Sequence, residues 1–212
     1  MSTQKILRIV AGLAALLVIP PAVHAEDKDA HGFSIAIKGG FPGYGGEIGY
    51  RVNDYFGARA AATGMSLTAK DETNPGNKFK LEFVNAPIIL DWHVFGGSFR
   101  VSAGYVIQSN EMSMTGTNIT VGGGTATTAT ANVTFGKSGT YVGLGWGGAP
   151  STKRGFGFGI DLGAIIVSSP KVTMTASGVT QPDIDQQIAT YEEDFKNLRT
   201  LPVIMAHLGY TF

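Results

Sequence analysis

The stretch GFGFGIDLGAI, Gly155 to Ile165, alternates glycine with large apolar residues. In an extended chain Phe156, Phe158, Ile160 and Leu162 fall on one face, and the other face carries mostly glycine. Glycine weakens an ordinary strand because it offers no side chain to pack and loses more chain entropy on folding. Such a strand therefore needs surroundings that stabilise an apolar face on one side and a face almost without side chains on the other.

The same alternation of period 2 recurs along the chain and predicts strands. Eight segments show it: FSIAIKG (33–39), GGEIGYRV (45–52), a segment from Phe56, APIILDWHV (86–94), FRVSAGYVI (99–107), TYVGLGWG (140–147), the opening stretch, and PVIMAHLGYTF (202–212). Three connections are short turns (53–55, 96–97 and 150–154), and three are long loops (70–78, 115–139 and 177–200).

Short turns at one end, long loops at the other and an even strand count favour an all-β fold, an eight-stranded antiparallel transmembrane β-barrel. Lipid would solvate the apolar face, and the glycine face would line a lumen just wide enough for side chains to fill. A soluble β-sandwich with a similar number of strands is the alternative. Its exterior would have to be polar, and the polar face here carries too many glycines for that.

The N-terminus predicts a cleaved signal peptide over residues 1–25. Lys5 and Arg8 precede a short apolar run, prolines end that run, and the small-residue spacing before Ala25 is typical of a signal-peptidase site. The run is only about half the ~20 residues that a membrane-spanning helix needs, so a retained membrane anchor is the less favoured alternative. One barrel domain, residues 26–212, would remain after cleavage.

The composition of that domain excludes some functions. It has no cysteine for disulfides, and 14 basic against 16 acidic residues leave a charge of −2, which does not favour nucleic-acid binding. Aromatic residues cluster on the apolar face near the short-turn ends, as an aromatic girdle at a bilayer interface would. They are Phe33, Tyr50, Phe56, Trp92, Phe99, Trp146, Phe156, Tyr210 and Phe212.

The last strand carries a recognisable pattern. A terminal Phe212 follows Tyr210, Leu208, Ala206 and Ile204 at every second position, and this resembles the C-terminal signal that hands outer-membrane proteins to the barrel-assembly machinery. With GYRVNDYFGARA, LDWHVFGG, YVGLGWG and GFGFGIDLG, the chain resembles small proteobacterial outer-membrane barrels of the OmpA-domain, OmpX and OmpW kind. The resemblance implies a Gram-negative outer membrane, contact with its lipid and lipopolysaccharide, and periplasmic chaperones and the assembly machinery as partners during biogenesis.

Charged and histidine side chains on the glycine face form one band near the short-turn end. They are Lys38, Glu47, Arg51, Arg59, Asp91, His93, Arg100, Asp161 and His207. Because buried charges must pair, the favoured interpretation is a salt-bridge plug that holds the barrel together. A gated or proton-responsive passage that uses the histidines, a His/Asp hydrolase dyad and a metal site are the other readings of these residues.

The long loops differ from one another. The stretch 115–139 is nearly uncharged and rich in Thr, Gly and Ala, which fits either a flexible cap or an extended surface hairpin. Helical spacing of apolar residues over 183–198 predicts a short amphipathic helix that packs over the barrel mouth, with a partner-binding face as the second interpretation. Pro87 lies inside the fourth strand, where a bulge would change which residues face inward before Ile88.

These patterns predict a non-enzymatic protein without cofactor or metal, in the outer membrane with both mature termini in the periplasm. A structural or surface-interaction role with a plugged lumen is the favoured function, with an unknown extracellular ligand. The alternative is a porin-like transport protein for small or hydrophobic molecules.

Overall fold

The computed structural model describes residues 32–74, 76–148, 150–151 and 154–212. The predicted signal peptide over residues 1–25 lies outside the described residues. Ten strands are present: β1 Phe33–Phe41, β2 Gly43–Arg51, β3 Phe56–Lys70, β4 Lys78–His93, β5 Phe99–Val121, β6 Gly124–Thr134, β7 Ser138–Gly147, β8 Gly155–Val167, β9 Lys171–Ser177 and β10 Thr200–Thr211. One α-helix, α1, spans Gln181–Phe195, and a short 3-10 turn spans Val94–Gly96. Among the described residues no helix is long and apolar enough to cross a membrane.

Eight of these strands close on themselves through antiparallel pairing. The order is β1–β2–β3–β4–β5–β7–β8–β10, and β10 returns to β1 in the register Ser34↔Thr211 to Phe41↔Ile204. We call these eight strands the ring. Each ring strand lies where the alternation predicted one, and the all-β prediction is confirmed.

The ring separates side chains by chemistry. Apolar residues on its outer face are exposed, for example Ile37 at 68% and Leu90 at 67%. Their chain neighbours Lys38 and Asp91 point inward and are 8% and 1% exposed. The ring therefore exposes an apolar outer wall and encloses charged side chains, the reverse of a water-soluble domain.

Pro87 causes no bulge. The pairing of β3 with β4 keeps the same register on both sides of it, from Ala60↔Ile88 to Thr63↔Asn85, and skips only the two positions between. A missing pairing is expected there because proline has no N–H to donate. The same alternate residues of β4 therefore face inward on both sides of Pro87, down to Phe83, which is buried.

The two remaining strands belong to an extension that rises above the long-loop end of the ring. The upper half of β5 pairs with β6 from Glu111↔Thr134 to Val121↔Gly124, and β6 pairs with β9. The loop predicted over 115–139 is thus an extended hairpin, one of the two alternatives that the sequence left open. Helix α1 packs on the face of this extension that continues the inner wall of the ring, through apolar residues such as Ile184 and Ile188.

Candidate functional site: the closed interior

The glycines of β7 and β8 make room for large inward side chains. A methyl group on Gly145 would lie 2.5 Å from Nε of Arg100 and 2.7 Å from Oδ1 of Asp161. One on Gly163 would lie 2.7 Å from the Tyr141 ring, and one on Gly159 would lie 2.5 Å from Nε2 of His207. Real Cβ contacts are never this short, so these positions must be bare for the interior to be filled.

Six buried charges meet on the short-turn side of the interior, and we call them the ionic cluster. Its members are the cations Lys38, Arg59 and Arg100 and the carboxylates Glu47, Asp91 and Asp161. They come from six different ring strands, and each is at most 8% exposed. Three positive charges against three negative charges make the cluster neutral, so attraction and hydrogen bonds between its members offset the desolvation penalty of burying them.

Arg59 lies at the centre of the ionic cluster. Its guanidinium donates two parallel hydrogen bonds to Asp91, from Nε at 2.5 Å and from Nη2 at 2.9 Å. Its Nη1 donates to Asp161 at 3.0 Å and to Glu47 at 3.2 Å. A planar fork of five donors suits this role, since one side chain can hold three carboxylates in fixed geometry.

Asp161 accepts from the other two cations. Arg100 Nη2 donates to its Oδ1 at 2.5 Å, and Lys38 Nζ donates to its Oδ2 at 3.2 Å. His207 Nδ1 lies 3.4 Å from the same Oδ2. Asp161 therefore connects β8 to β1, across β10. It pairs with three cations, whereas Glu47 and Asp91 each pair with two.

Two of the predicted interior residues lie apart from the ionic cluster. Arg51 donates to the turn carbonyls of Asn53 at 3.2 Å and Asp54 at 2.5 Å, and His93 Nδ1 lies 3.2 Å from the carbonyl oxygen of Gly97. Both are buried at the short-turn end. They close the bottom of the ring against its own turns instead of adding to the charge balance above.

An apolar layer lies over the ionic cluster, towards the long-loop end. Its buried members are Ile89, Val106, Phe135, Tyr141, Ile165, Val167, Leu201, Val203 and Met205. Between the two lies a cavity of about 40 Å³ that Lys38, Asn85 and Tyr141 help to line. A space of this size holds one or a few water molecules and no larger solute.

Amide side chains form the uppermost polar contacts of the interior. Asn110 Nδ2 donates to Asn85 Oδ1 at 3.0 Å and to Gln108 Oε1 at 3.1 Å, and Gln108 donates to the carbonyl of Gly136 at 2.7 Å. These residues were not among the predicted interior residues because they are uncharged, although they continue the inward alternation of β4 and β5 and so were predictable.

The titratable side chains of the described interior are enclosed and packed against one another. Within the described ranges no group of three or more His, Cys, Asp or Glu side chains is placed to hold a metal ion. The His207–Asp161 pair is enclosed, with His207 2% exposed. What the arrangement does physically is hold opposite walls of the ring together and fill the space between them.

Asp183 at the start of α1 ties the helix to the tip of the β5–β6 hairpin. Its carboxylate accepts from the hydroxyl of Thr180 at 2.6 Å and from the backbone N–H of Gly123 at 3.1 Å. Gln187 Oε1 accepts from the N–H of Gly122 at 3.2 Å. The hydrogen bond from Thr180 and that from Gly123 hold the pKa of Asp183 below its usual value.

We expect Asp183→Asn to loosen the hairpin tip at neutral pH. A carboxyl whose pKa is lowered in the folded state stabilises that state above its ordinary pKa, and this stabilisation is lost as the pH falls through the folded value. The variant at pH 7 and the parent protein at strongly acid pH should therefore both show faster amide exchange at residues 122–124. Asp185→Asn is the control, because Asp185 accepts a hydrogen bond from Gln181 within α1 at 2.8 Å. Equal exchange rates at residues 122–124 in the Asp183→Asn and Asp185→Asn variants would contradict this role of Asp183.

Comparison with known proteins extends these observations. No protein-family model matches the sequence, and no curated protein matches it. Among solved structures, that of Acinetobacter baumannii CarO2 is similar with a TM-score of 0.61 and 18% identity, over 85% of this chain and 98% of that chain. That of Acinetobacter baumannii CarO has a TM-score of 0.59 and 18% identity, over 84% and 97%.

Both similar proteins are outer-membrane β-barrel proteins of a Gram-negative bacterium. At 18% identity the likeness is one of fold. The finer resemblance to OmpA-domain, OmpX and OmpW barrels stays a prediction.

Proposed function

We propose that the chain is an eight-stranded transmembrane β-barrel of a Gram-negative outer membrane. The height of the apolar wall supports this. On β4 the outward residues from Trp92 to Val84 are apolar, and on β5 those from Phe99 to Ile107 are apolar. Eight residue steps correspond to about 27 Å along a strand, or roughly 20 Å across the membrane at a usual tilt, which approaches the ~25 Å band of such barrels.

The aromatic residues support the same placement. Outward aromatics at the short-turn end lie opposite each other on neighbouring strands, as Phe56↔Trp92 and Phe99↔Trp146 do. Phe156 and Tyr210 pack edge to face at 5.0 Å. Such a belt is typical of a bilayer interface, so the short turns and both mature termini would lie in the periplasm and the extension would lie outside the cell.

We propose that this barrel is a non-enzymatic surface protein whose lumen is closed. The observation that carries this proposal is the neutral ionic cluster beneath an apolar layer, with a cavity of about 40 Å³ between them. A solute would have to break several buried ion pairs to pass. The extension, held by α1, is the part of the molecule that is available to a partner.

A conductance measurement tests the closed lumen. We expect the refolded protein, inserted in planar lipid bilayers, to give no stepwise ion conductance, because the ionic cluster and the apolar layer fill the interior of the described ring. Heat-dependent migration on a denaturing gel checks that the inserted protein is folded. Reproducible conductance steps would instead favour the porin-like alternative, and recovery from the soluble periplasm would contradict the membrane placement.

A further inference from the structure

The upper part of β3 has a strand on one side only. β2 pairs with β3 as far as Tyr44↔Gly64, whereas β3 continues upward for six residues, from Met65 to Lys70. On its other side β3 stays paired with β4 up to Lys70↔Lys78. Residues 65–70 are therefore an edge strand, and we call their unpaired side the free edge.

The backbone groups of the free edge can be assigned, because the hydrogen bonds of an antiparallel strand alternate between its two neighbours. The carbonyl of Phe56 accepts from Val52 on the β2 side at 2.9 Å, and that of Tyr55 accepts from His93 on the β4 side at 2.7 Å. Even-numbered residues of β3 therefore direct their N–H and C=O groups away from β4. On the free edge these are Ser66, Thr68 and Lys70.

The inner face beside the free edge is apolar and only partly covered. Leu67 lies opposite Leu81, and Ala69 lies opposite Phe79. Leu67 is 41% exposed, and Leu81 and Phe79 are half-buried. Helix α1 covers the same face further along, where the side chains of β5, β6 and β9 are buried. A strand added at the free edge would place every second side chain over the uncovered part.

The outer face at the top of the free edge is positively charged. Lys70 lies directly opposite Lys78, an unfavourable arrangement of like charges. Lys80, one outward position lower on β4, is paired with Glu82 at 2.7 Å. No ion pair of the described residues includes Lys70 or Lys78. A carboxylate on an added strand, directly opposite Lys70, would offset this repulsion.

The outer face at the bottom of the free edge has the opposite charge. Ser66 lies opposite Glu82, and Glu82 lies opposite Glu111 on the next strand. An acidic residue beside Ser66 would therefore be repelled. Since antiparallel pairing is the more stable arrangement, an added strand would run downward along β3. Its acidic residue would then stand at the N-terminal end of the bound segment.

We propose that the free edge binds an extended segment of an extracellular partner protein by strand addition. The segment has apolar residues at every second position, which face inward over Leu67, and an acidic residue opposite Lys70. The inference rests on the proposed function, because it states how the extension engages a partner outside the cell.

Two other arrangements fit these observations less well. A second copy in the same membrane also stands upright, so its free edge would meet this one in parallel, with the two apolar faces on opposite sides. The outer side of β9 is also unpaired by any strand, but α1 covers its inner face. There Glu192 of α1 accepts from the N–H of Val172 at 3.5 Å.

A synthetic peptide tests the proposal. In the antiparallel register, acetyl-Glu-Val-Thr-Ile-Thr-Val-amide places its glutamate opposite Lys70 and its isoleucine opposite Leu67. It is titrated into the refolded full chain in neutral detergent micelles, and amide signals and amide exchange are followed by NMR. We expect saturable binding with slower exchange at residues 66, 68 and 70. The same peptide with both threonine nitrogens methylated should not bind, although it enters micelles as readily.

Thr68→Pro removes the middle N–H of the free edge. Proline is tolerated on an edge strand where its nitrogen faces away from the sheet, so β3 should stay paired with β4, with slow amide exchange at Leu67. We expect this variant to bind the peptide about tenfold more weakly, since one hydrogen bond is lost and the ring obstructs the added backbone. Thr68→Val keeps the N–H and is the matched control, which should bind as the parent does. Lys70→Gln should weaken binding of this peptide but not of a version with glutamine in place of glutamate.

Several outcomes would overturn strand addition at the free edge. They are absence of protection at residues 66, 68 and 70, equal affinity of the parent and Thr68→Pro, and equal binding of the methylated peptide. A dimeric parent with these amides protected before any peptide is added would assign the free edge to a second copy. Loss of heat-dependent migration in the parent would instead contradict the membrane barrel, and conductance steps would contradict the closed lumen.

Discussion

Asp161→Ala is expected to lower the free energy of unfolding by about 3–5 kcal/mol, the usual cost of removing one member of a buried ion pair. Asp161 is the shared acceptor of Lys38, Arg59 and Arg100. Without it three buried cations, each at most 8% exposed, face only two carboxylates. The measurement is urea unfolding of the refolded protein in detergent micelles, followed by heat-dependent migration and by Trp fluorescence.

Two further variants separate charge from general damage. Asp161→Asn keeps the volume and an acceptor oxygen but removes the charge, so it should lose a large part of the same stability. Asp194→Ala removes an exposed carboxylate of α1 and should unfold with the parent, since surface substitutions of this kind change stability little. If all three variants unfold at the parent's denaturant concentration, Asp161 does not belong to a paired interior cluster.

Helical spacing predicted helix α1 but not all of its contacts. The sequence predicts a helix over 183–198, whereas α1 spans Gln181–Phe195. The helix begins two residues earlier than predicted because Thr180 and Asp183 form a capping box at its start. The spacing places Asp183 at the helix start, where an acid is expected. It cannot reveal that the same carboxylate binds the backbone of Gly123 across the extension.

The ring strands were predictable because their two faces differ strongly. In β8 phenylalanine, isoleucine and leucine alternate with glycine and aspartate, so the period of 2 is unmistakable. β6 lacks this contrast. Its buried residues include Ala126, Ala129 and Ala131, and its exposed ones are threonines, so apart from Val133 neither face has the large apolar residues that mark a strand. The sequence therefore predicted only a cap or a hairpin there.

The facing of the interior charges followed from alternation, but their partners did not. Arg51 and Arg59 share an inward face, yet Arg51 binds turn carbonyls and Arg59 binds three carboxylates. Which side chains meet depends on the stagger between neighbouring strands, which is fixed only when the sheet closes. The contact between Lys38 and Asp161, 123 residues apart, is of this kind.

Gly145→Ala should have the second large effect, although it adds a single methyl group. That group would lie 2.5 Å from Arg100 Nε, 2.6 Å from its Cζ and 2.7 Å from Asp161 Oδ1, so the Arg100–Asp161 pair must separate or the wall must move. Overpacking of this kind costs about 1–3 kcal/mol before any loss of ion pairing. Gly39→Ala is the matched control, because nothing lies within 4 Å of the added group and its unfolding midpoint should equal the parent's.

A double-mutant cycle identifies the cause of the Gly145→Ala effect. If the methyl group acts by separating the ionic cluster, its cost should shrink when Asp161→Ala has already disrupted that cluster, and the two changes should be clearly non-additive. Urea unfolding of the parent, the two single variants and the double variant in the same detergent measures the coupling. Strict additivity would mean that Gly145 is bare for another reason, such as strand pairing, and that the glycine face does not exist to accommodate the buried charges.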